Sequence, residues 1–189
     1  MITLKKYVFG YGSLINCSSA SKALNRNLSK EDIILVNLIN FQRNWSLWDE
    51  VFSLKLQKNV KGIFLNILQS QGNYMNGIII EVSDEELKNL VIREKNYDCI
   101  DVTNNIEFTD KNLSDNFEVY SFIGKNEYIF DENILDGYIF ENYIKIVDVG
   151  LINISEEFRN EFYKTTLNRN TSILEGAYSF IDYNQQKLV

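Results

Sequence analysis

From Ile33 to Val82 the chain is strand-like almost throughout, and this run excludes most ways of folding it. Ile33 to Phe41 and Trp45 to Phe52 are β-branched and aromatic with polar residues interspersed, which predicts two strands joined around Gln42-Arg43-Asn44. Gly62 to Leu68 and Gly77 to Val82 predict two more, separated by a loop over Gln69 to Asn76. Strands that follow one another without a helical pattern between them do not build alternating βα units.

The stretch before this run ends abruptly. Tyr7, Val8 and Phe9 form a short apolar strand that stops at Gly10-Tyr11-Gly12, followed by Ser13 and Leu14. A turn so stripped of side-chain bulk can aim backbone N–H groups at a small anionic group, although Gly-x-Gly also serves simply for shape. A dinucleotide fingerprint would need a third glycine, where this chain has Ile15, and βα units after it. Neither is present.

After the strand-rich run comes the best-defined helix. Ser83-Asp84-Glu85-Glu86 has the capping-box form, and its acids suit the positive end of the helix dipole. Leu87, Leu90 and Val91 then mark a buried face, and the next position on that face is Glu94. Burial and the negative end of the dipole both disfavour a charged carboxylate there, so its pKa is expected to rise, which suits a group that takes a proton and returns it near neutrality. The competing interpretation is a fraying helix end, with Glu94 turned to water or paired with Arg93 or Lys95.

The remaining elements are less sharply written. Ser18 to Asn27 predicts a short helix or an irregular loop. Tyr97 to Val102 alternates as a strand, with Ile106-Glu107-Phe108 expected to pair beside it. Asp110 to Asn116 reads as a polar loop. Phe117 to Ile123 is a further strand, ended by Gly124-Lys125-Asn126. Tyr143 to Val149 is apolar and fits a helix turn or a strand. Glu156 to Leu167 carries Phe158, Phe162 and Tyr163 at helical spacing, and Ala177 to Val189 is an aromatic run with a polar tail. No repeat or composition break divides the 189 residues, so one α+β domain spanning 1–189 is expected, long enough to bury roughly 70% of its unfolded surface.

Composition narrows the chemistry. Histidine is absent, which removes Ser-His-Asp and Cys-His catalysis and most transition-metal sites, so proton transfer falls to carboxylates, lysine or tyrosine. Cys17 and Cys99 form no Cys-x-x-Cys pair, which points to packed free thiols in a reducing compartment. With a net charge of −7 and no basic run longer than Lys5-Lys6, neither nucleic acid nor an anionic membrane is an expected partner. The opening residues lack the apolar run of a signal peptide, and no window approaches a membrane span. A cytoplasmic location follows as the expectation.

Taken together, Phe9-Gly10-Tyr11-Gly12-Ser13-Leu14, the Gly77 to Val82 strand, and Arg93-Glu94-Lys95 followed by Tyr97 and Val102 resemble the γ-glutamylcyclotransferase-like superfamily. The resemblance implies a small mixed β-barrel flanked by helices. It implies a substrate-binding turn at Gly10, Tyr11, Gly12, Ser13 and Leu14, with Glu94 as the catalytic acid/base. It adds Tyr97 as a substrate contact, and Tyr120 and Tyr143 are looser matches for further ones. The Arg-Glu-Lys triplet leans toward the glutathione-degrading ChaC branch, but Asn96 stands where that branch usually has glycine, leaving the amine that departs open. The implied reaction is attack of a γ-glutamyl substrate's own α-amine on its γ-carbonyl, releasing 5-oxoproline. It calls for a small γ-glutamyl substrate and no metal or organic cofactor, and it leaves the oligomeric state open. The alternative is a catalytically inactive binding or regulatory module of the same fold.

Overall fold

The computed structural model describes residues 4–109, 113, 116–130, 137–167 and 171–186. Strand β1 (Lys5–Gly10) leads through the glycine turn into helix α1 (Cys17–Leu24). The strand-rich run becomes two very long strands, β2 (Ile33–Ser53) and β3 (Lys58–Val82), followed by helix α2 (Asp84–Arg93). Strands β4 (Tyr97–Asp101), β5 (Ile106–Phe108), β6 (Phe117–Gly124) and β7 (Gly137–Phe140) come next. Helices α3 (Glu141–Ile154) and α4 (Glu156–Lys164) precede three short strands, β8 (Thr166–Leu167), β9 (Ile173–Leu174) and β10 (Tyr178–Phe180), and a last turn of helix, α5 (Tyr183–Gln186). The polar loop expected over Asp110 to Asn116 lies largely outside the described residues, as does the end of the C-terminal tail.

The sheet is mixed and runs β10-β2-β3-β1-β6-β4. It curls into a half-barrel flanked by helices, the α+β architecture expected. β1 lies antiparallel to β3 and parallel to β6, and Val8, Phe9 and Gly10 are buried on both faces. That is why β1 reads as a continuous apolar run rather than an alternation.

Two breaks expected in the long strands are bulges instead. β2 passes straight through Gln42-Arg43-Asn44, and its ladder with β3 slips on either side of them, between Ile39 and Phe41 and between Trp45 and Leu47. The loop expected over Gln69 to Asn76 shrinks to an excursion inside β3: Ile39 faces Tyr74 while Phe41 already faces Gln69. Asn40, with φ of 64°, accepts the Gly72 N–H at 3.0 Å across this excursion. The polar residues that suggest turns supply side-chain acceptors for a bulge, so the backbone bends without leaving the sheet. Each half of the hairpin thereby finds its own neighbours, β1 and β5 on one side of the bend, β7 and β10 on the other.

β5 pairs with β2, not with β4 as its proximity in the chain suggested. Tyr143 to Val149 is helical, part of α3, and α4 stops at Lys164 rather than running to Leu167. The Ser83 cap forms as predicted, with Glu86 N–H donating to Ser83 Oγ at 3.2 Å and Ser83 N–H to Glu86 at 2.8 Å. On α2, Leu90 is fully buried and Leu87 partly so, whereas Val91 turns to solvent. The buried stripe is therefore Leu87, Leu90 and Glu94.

Arg43 is completely buried, and no carboxylate among the described residues pairs with it. Its guanidinium lies 3.6 Å from the centre of the Phe162 ring and donates to the carbonyl oxygens of Phe162 and Asn76 and to Thr166 Oγ1. It thereby satisfies the end of α4, the start of β8 and the bend in β3 at once. Burial pushes its pKa down. An ammonium cannot reach all three acceptors while stacking on a ring, so Arg43→Lys is expected to cost about 2 kcal/mol, read as a lower urea midpoint with an unchanged slope.

Candidate active site

β1 hands the chain to the glycine turn, where Ile15 N–H donates to Gly12 O at 3.0 Å and Asn16 N–H to Ser13 O at 3.1 Å. Asn16 then caps α1 by accepting from Ser18 and Ser19. The other end of its amide donates to Ile146 O at 2.9 Å. That bond ties the turn to α3, and α3 can come so near because Gly150 meets the backbone of Ile15 and Asn16, where a Cβ would lie 2.7 Å from Asn16 N. The outcome is that Tyr143, at the first turn of α3, reaches the glycine turn.

Tyr143 stands between Trp45 and Phe64, edge to face with both, at 5.9 and 5.1 Å between ring centres. The Ser13 and Leu65 N–H groups point at its hydroxyl oxygen. Tyr11 donates to Phe122 O at 2.6 Å, and Tyr97 donates to Leu65 O at 2.9 Å. Burial pushes all three phenols up, and Glu94 nearby pushes each further, so they remain neutral hydrogen-bond donors.

Glu94 caps the C-terminus of α2, its N–H donating to Leu90 O at 2.8 Å. Its side chain is 24% exposed. Burial is the main influence that raises its carboxyl pKa; Asp49 raises it further and Arg93 opposes both. The Arg93 Nε to Glu94 Oε1 distance of 3.6 Å is that of a loose ion pair. Arg93 Nη1 is buried without a hydrogen-bond partner among the described residues. Lys95 turns away from Glu94 to pair with Asp182 at 2.8 Å.

These groups share one cavity of about 90 Å³. Its wall includes Gly10, Tyr11, Gly12, Ser13, Leu14, Glu94, Tyr97 and Tyr143, so residues from opposite ends of the sequence come together. Tyr120 is not on the wall: it sits across from Val8 and Asp101 on the sheet and its hydroxyl donates to Glu118 at 2.7 Å. A larger cavity of about 470 Å³, between Cys17, Ile33 to Leu35 and Ile154, has no carboxylate or tyrosine among its described lining residues. The carboxylates and tyrosines named above therefore gather at the smaller one.

The wall also holds Arg93, named above only beside Glu94, and Asp49, Phe180 and Gln185, which the sequence analysis did not single out. Asp49 had a signal, since Leu47, Asp49, Val51 and Ser53 alternate as the inward positions of β2 and all are buried. An acid on an apolar stripe is the same clue that marked Glu94. Phe180 and Gln185 carry no local pattern that ties them to a cavity; they arrive because β10 pairs with the end of β2.

Among proteins of known structure, a γ-glutamyl cyclotransferase superimposes with a TM-score of 0.58 at 15% identity, over 90% of this chain and 94% of its own. An uncharacterized protein from Homo sapiens gives 0.56 at 16% identity, over 90% and 93% of the two chains. A yeast γ-glutamyl cyclotransferase specific to glutathione gives 0.50 at 13%, over 90% and 92%. No protein-family profile and no curated protein sequence matches the chain. The fold is thus that of the γ-glutamyl cyclotransferases.

Proposed function

We propose that this protein is a γ-glutamylcyclotransferase-type enzyme that releases 5-oxoproline from a γ-glutamyl amino acid, a γ-glutamyl amine or glutathione. The observation that carries this is the meeting in one cavity of the Gly10 to Leu14 turn with Glu94, a half-buried carboxylate whose surroundings raise its pKa.

Glu94, as carboxylate, takes a proton from the substrate's α-ammonium. The freed amine attacks the γ-carbonyl carbon, forming the ring C–N bond and a tetrahedral intermediate. The bond to the original amine then breaks as Glu94 returns a proton to the departing nitrogen. The two protons that the α-nitrogen loses on becoming a lactam are the two that the departing amine gains. The substrate supplies its own nucleophile, so a chain without histidine needs only one proton carrier and a cavity that holds the folded conformer. Tyr11, Tyr97 and Tyr143 keep the wall rigid and neutral, and the backbone of the turn faces the carbonyl or carboxylate end of the substrate.

The test is a panel of glutathione, γ-glutamyl dipeptides and γ-glutamyl amines incubated with purified protein, with 5-oxoproline measured. Release from at least one class is expected. Binding without release from any of them would point to the inactive module instead.

A further inference from the structure

Besides Glu94, the cavity wall presents two further acceptors, Asp49 and Gln185. Asp49 is 7% exposed and sits on β2 within the cavity. One of its oxygens accepts the Gln185 amide at 2.7 Å and the other accepts the Glu50 N–H at 2.8 Å, which pins the carboxylate in place. Gln185 spends its NH₂ on that bond, and its own carbonyl oxygen is buried with no partner among the described residues. Asp49 and Gln185 therefore offer the cavity a negative charge and an unused acceptor.

No cation among the described residues lies within ion-pair distance of Asp49. Lys95 is committed to Asp182, and Arg93 leans toward Glu94. Lys95 favours the Asp49 charge only from a distance, and a buried carboxylate without a contacting counter-charge is costly, a common feature of sites whose ligand brings the charge. The complementary group is compact, positive and rich in donors: an ammonium, with three N–H bonds to share between Asp49, Gln185 and Glu94.

We infer that Asp49, held by Gln185, receives the α-ammonium of the substrate and presents it to Glu94. This rests on the γ-glutamyl function proposed above. It divides the work between the two acids. Glu94 carries protons, whereas Asp49 fixes the nitrogen from which the proton is taken.

The probe is a pair of compounds that differ only at this group: a γ-glutamyl dipeptide accepted by the enzyme, and its glutaryl counterpart, in which hydrogen replaces the α-ammonium. The glutaryl compound has no nucleophile and is read as a competitive inhibitor. In the native protein its Ki is expected to exceed the substrate KM about 10- to 100-fold, the range for a charge-assisted hydrogen bond. Asp49→Asn should raise KM and leave Ki nearly unchanged, closing the gap to about threefold or less, while Asp49→Glu should keep part of it. If Asp49 only anchors the C-terminal segment, both constants will move together and the gap will persist in Asp49→Asn, which overturns the inference but not the proposed function. A gap below about threefold in the native protein overturns it without any variant, even if Asp49→Asn does not fold. Absence of 5-oxoproline release from every γ-glutamyl compound overturns both.

Discussion

Glu94→Gln is expected to lower 5-oxoproline release about 10²- to 10⁴-fold, the usual contribution of a positioned acid/base, with KM changed far less than kcat. The same substitution should make the protein more resistant to heat at neutral pH. Burial, then Asp49, raise the Glu94 carboxyl above its ordinary value of 4.5 against the pull of Arg93, so the folded state holds this proton more tightly than the unfolded chain. Below that ordinary value both states are protonated, and glutamine gains nothing. As pH rises through the raised folded value the native carboxylate ionises at a cost, and above it the penalty is complete. The melting advantage of Glu94→Gln should therefore be absent at pH 4 and present at pH 8, at ~2–4 °C for each kcal/mol of penalty removed. Undiminished turnover in the variant would remove Glu94 from the mechanism. A melting difference that is the same at both pH values would mean that its charge is not what the fold resists.

Gly12→Ala is expected to cost about 100-fold in activity through a single contact. A Cβ at position 12 would lie 2.8 Å from the Tyr143 hydroxyl oxygen, and the next atoms, on Leu65, are at 3.8 Å. That oxygen has little room to yield, because the ring is wedged between Trp45 and Phe64 and faces two backbone N–H groups. The turn must move instead, and a displacement of the order of 1 Å at a substrate-positioning element is worth about two orders of magnitude. Tyr143→Phe in the same chain removes the oxygen and should recover most of the loss, so a double-mutant cycle will show a strong favourable coupling. Independent, additive effects of the two changes would separate Tyr143 from the turn.

Much of the architecture is legible in residue patterns that act locally. The capping box at Ser83, the short apolar β1 and the strand of Phe117 to Gly124 are local matters of hydrogen bonding and burial, and they form where the pattern places them. Gln42 to Asn44 misleads because polar residues inside a strand resemble a turn. Nothing near them reveals that Arg43 will meet the ring of Phe162 far along the chain. β5 joins β2 for a similar reason, since strand partners are chosen by distant burial and not by proximity. In the cavity, Glu94 and Asp49 are both visible as acids on apolar stripes, one helical and one extended. Gln185 is invisible until β10 docks, because a glutamine in a polar tail looks like any other.

The slip between Trp45 and Leu47 reaches further than the shape of the sheet. Arg43 stands opposite Ile67 and Asp49 opposite Gly62, and five steps along β3 place those partners on opposite faces. Six steps along a regular β2 would have put Arg43 and Asp49 on the same face. The extra residue is Ser46, whose hydroxyl and carbonyl are taken up by Asn44, Asn66 and Phe130. Without Ser46, five steps would separate Arg43 from Asp49 on β2, as they separate Ile67 from Gly62 on β3, so the ladder would run regularly and Leu47, Asp49 and Val51 would keep their face. The acid wall therefore survives loss of the extra residue but not its absorption into the ladder: only if Ser46 paired in register would Asp49 turn away from the cavity.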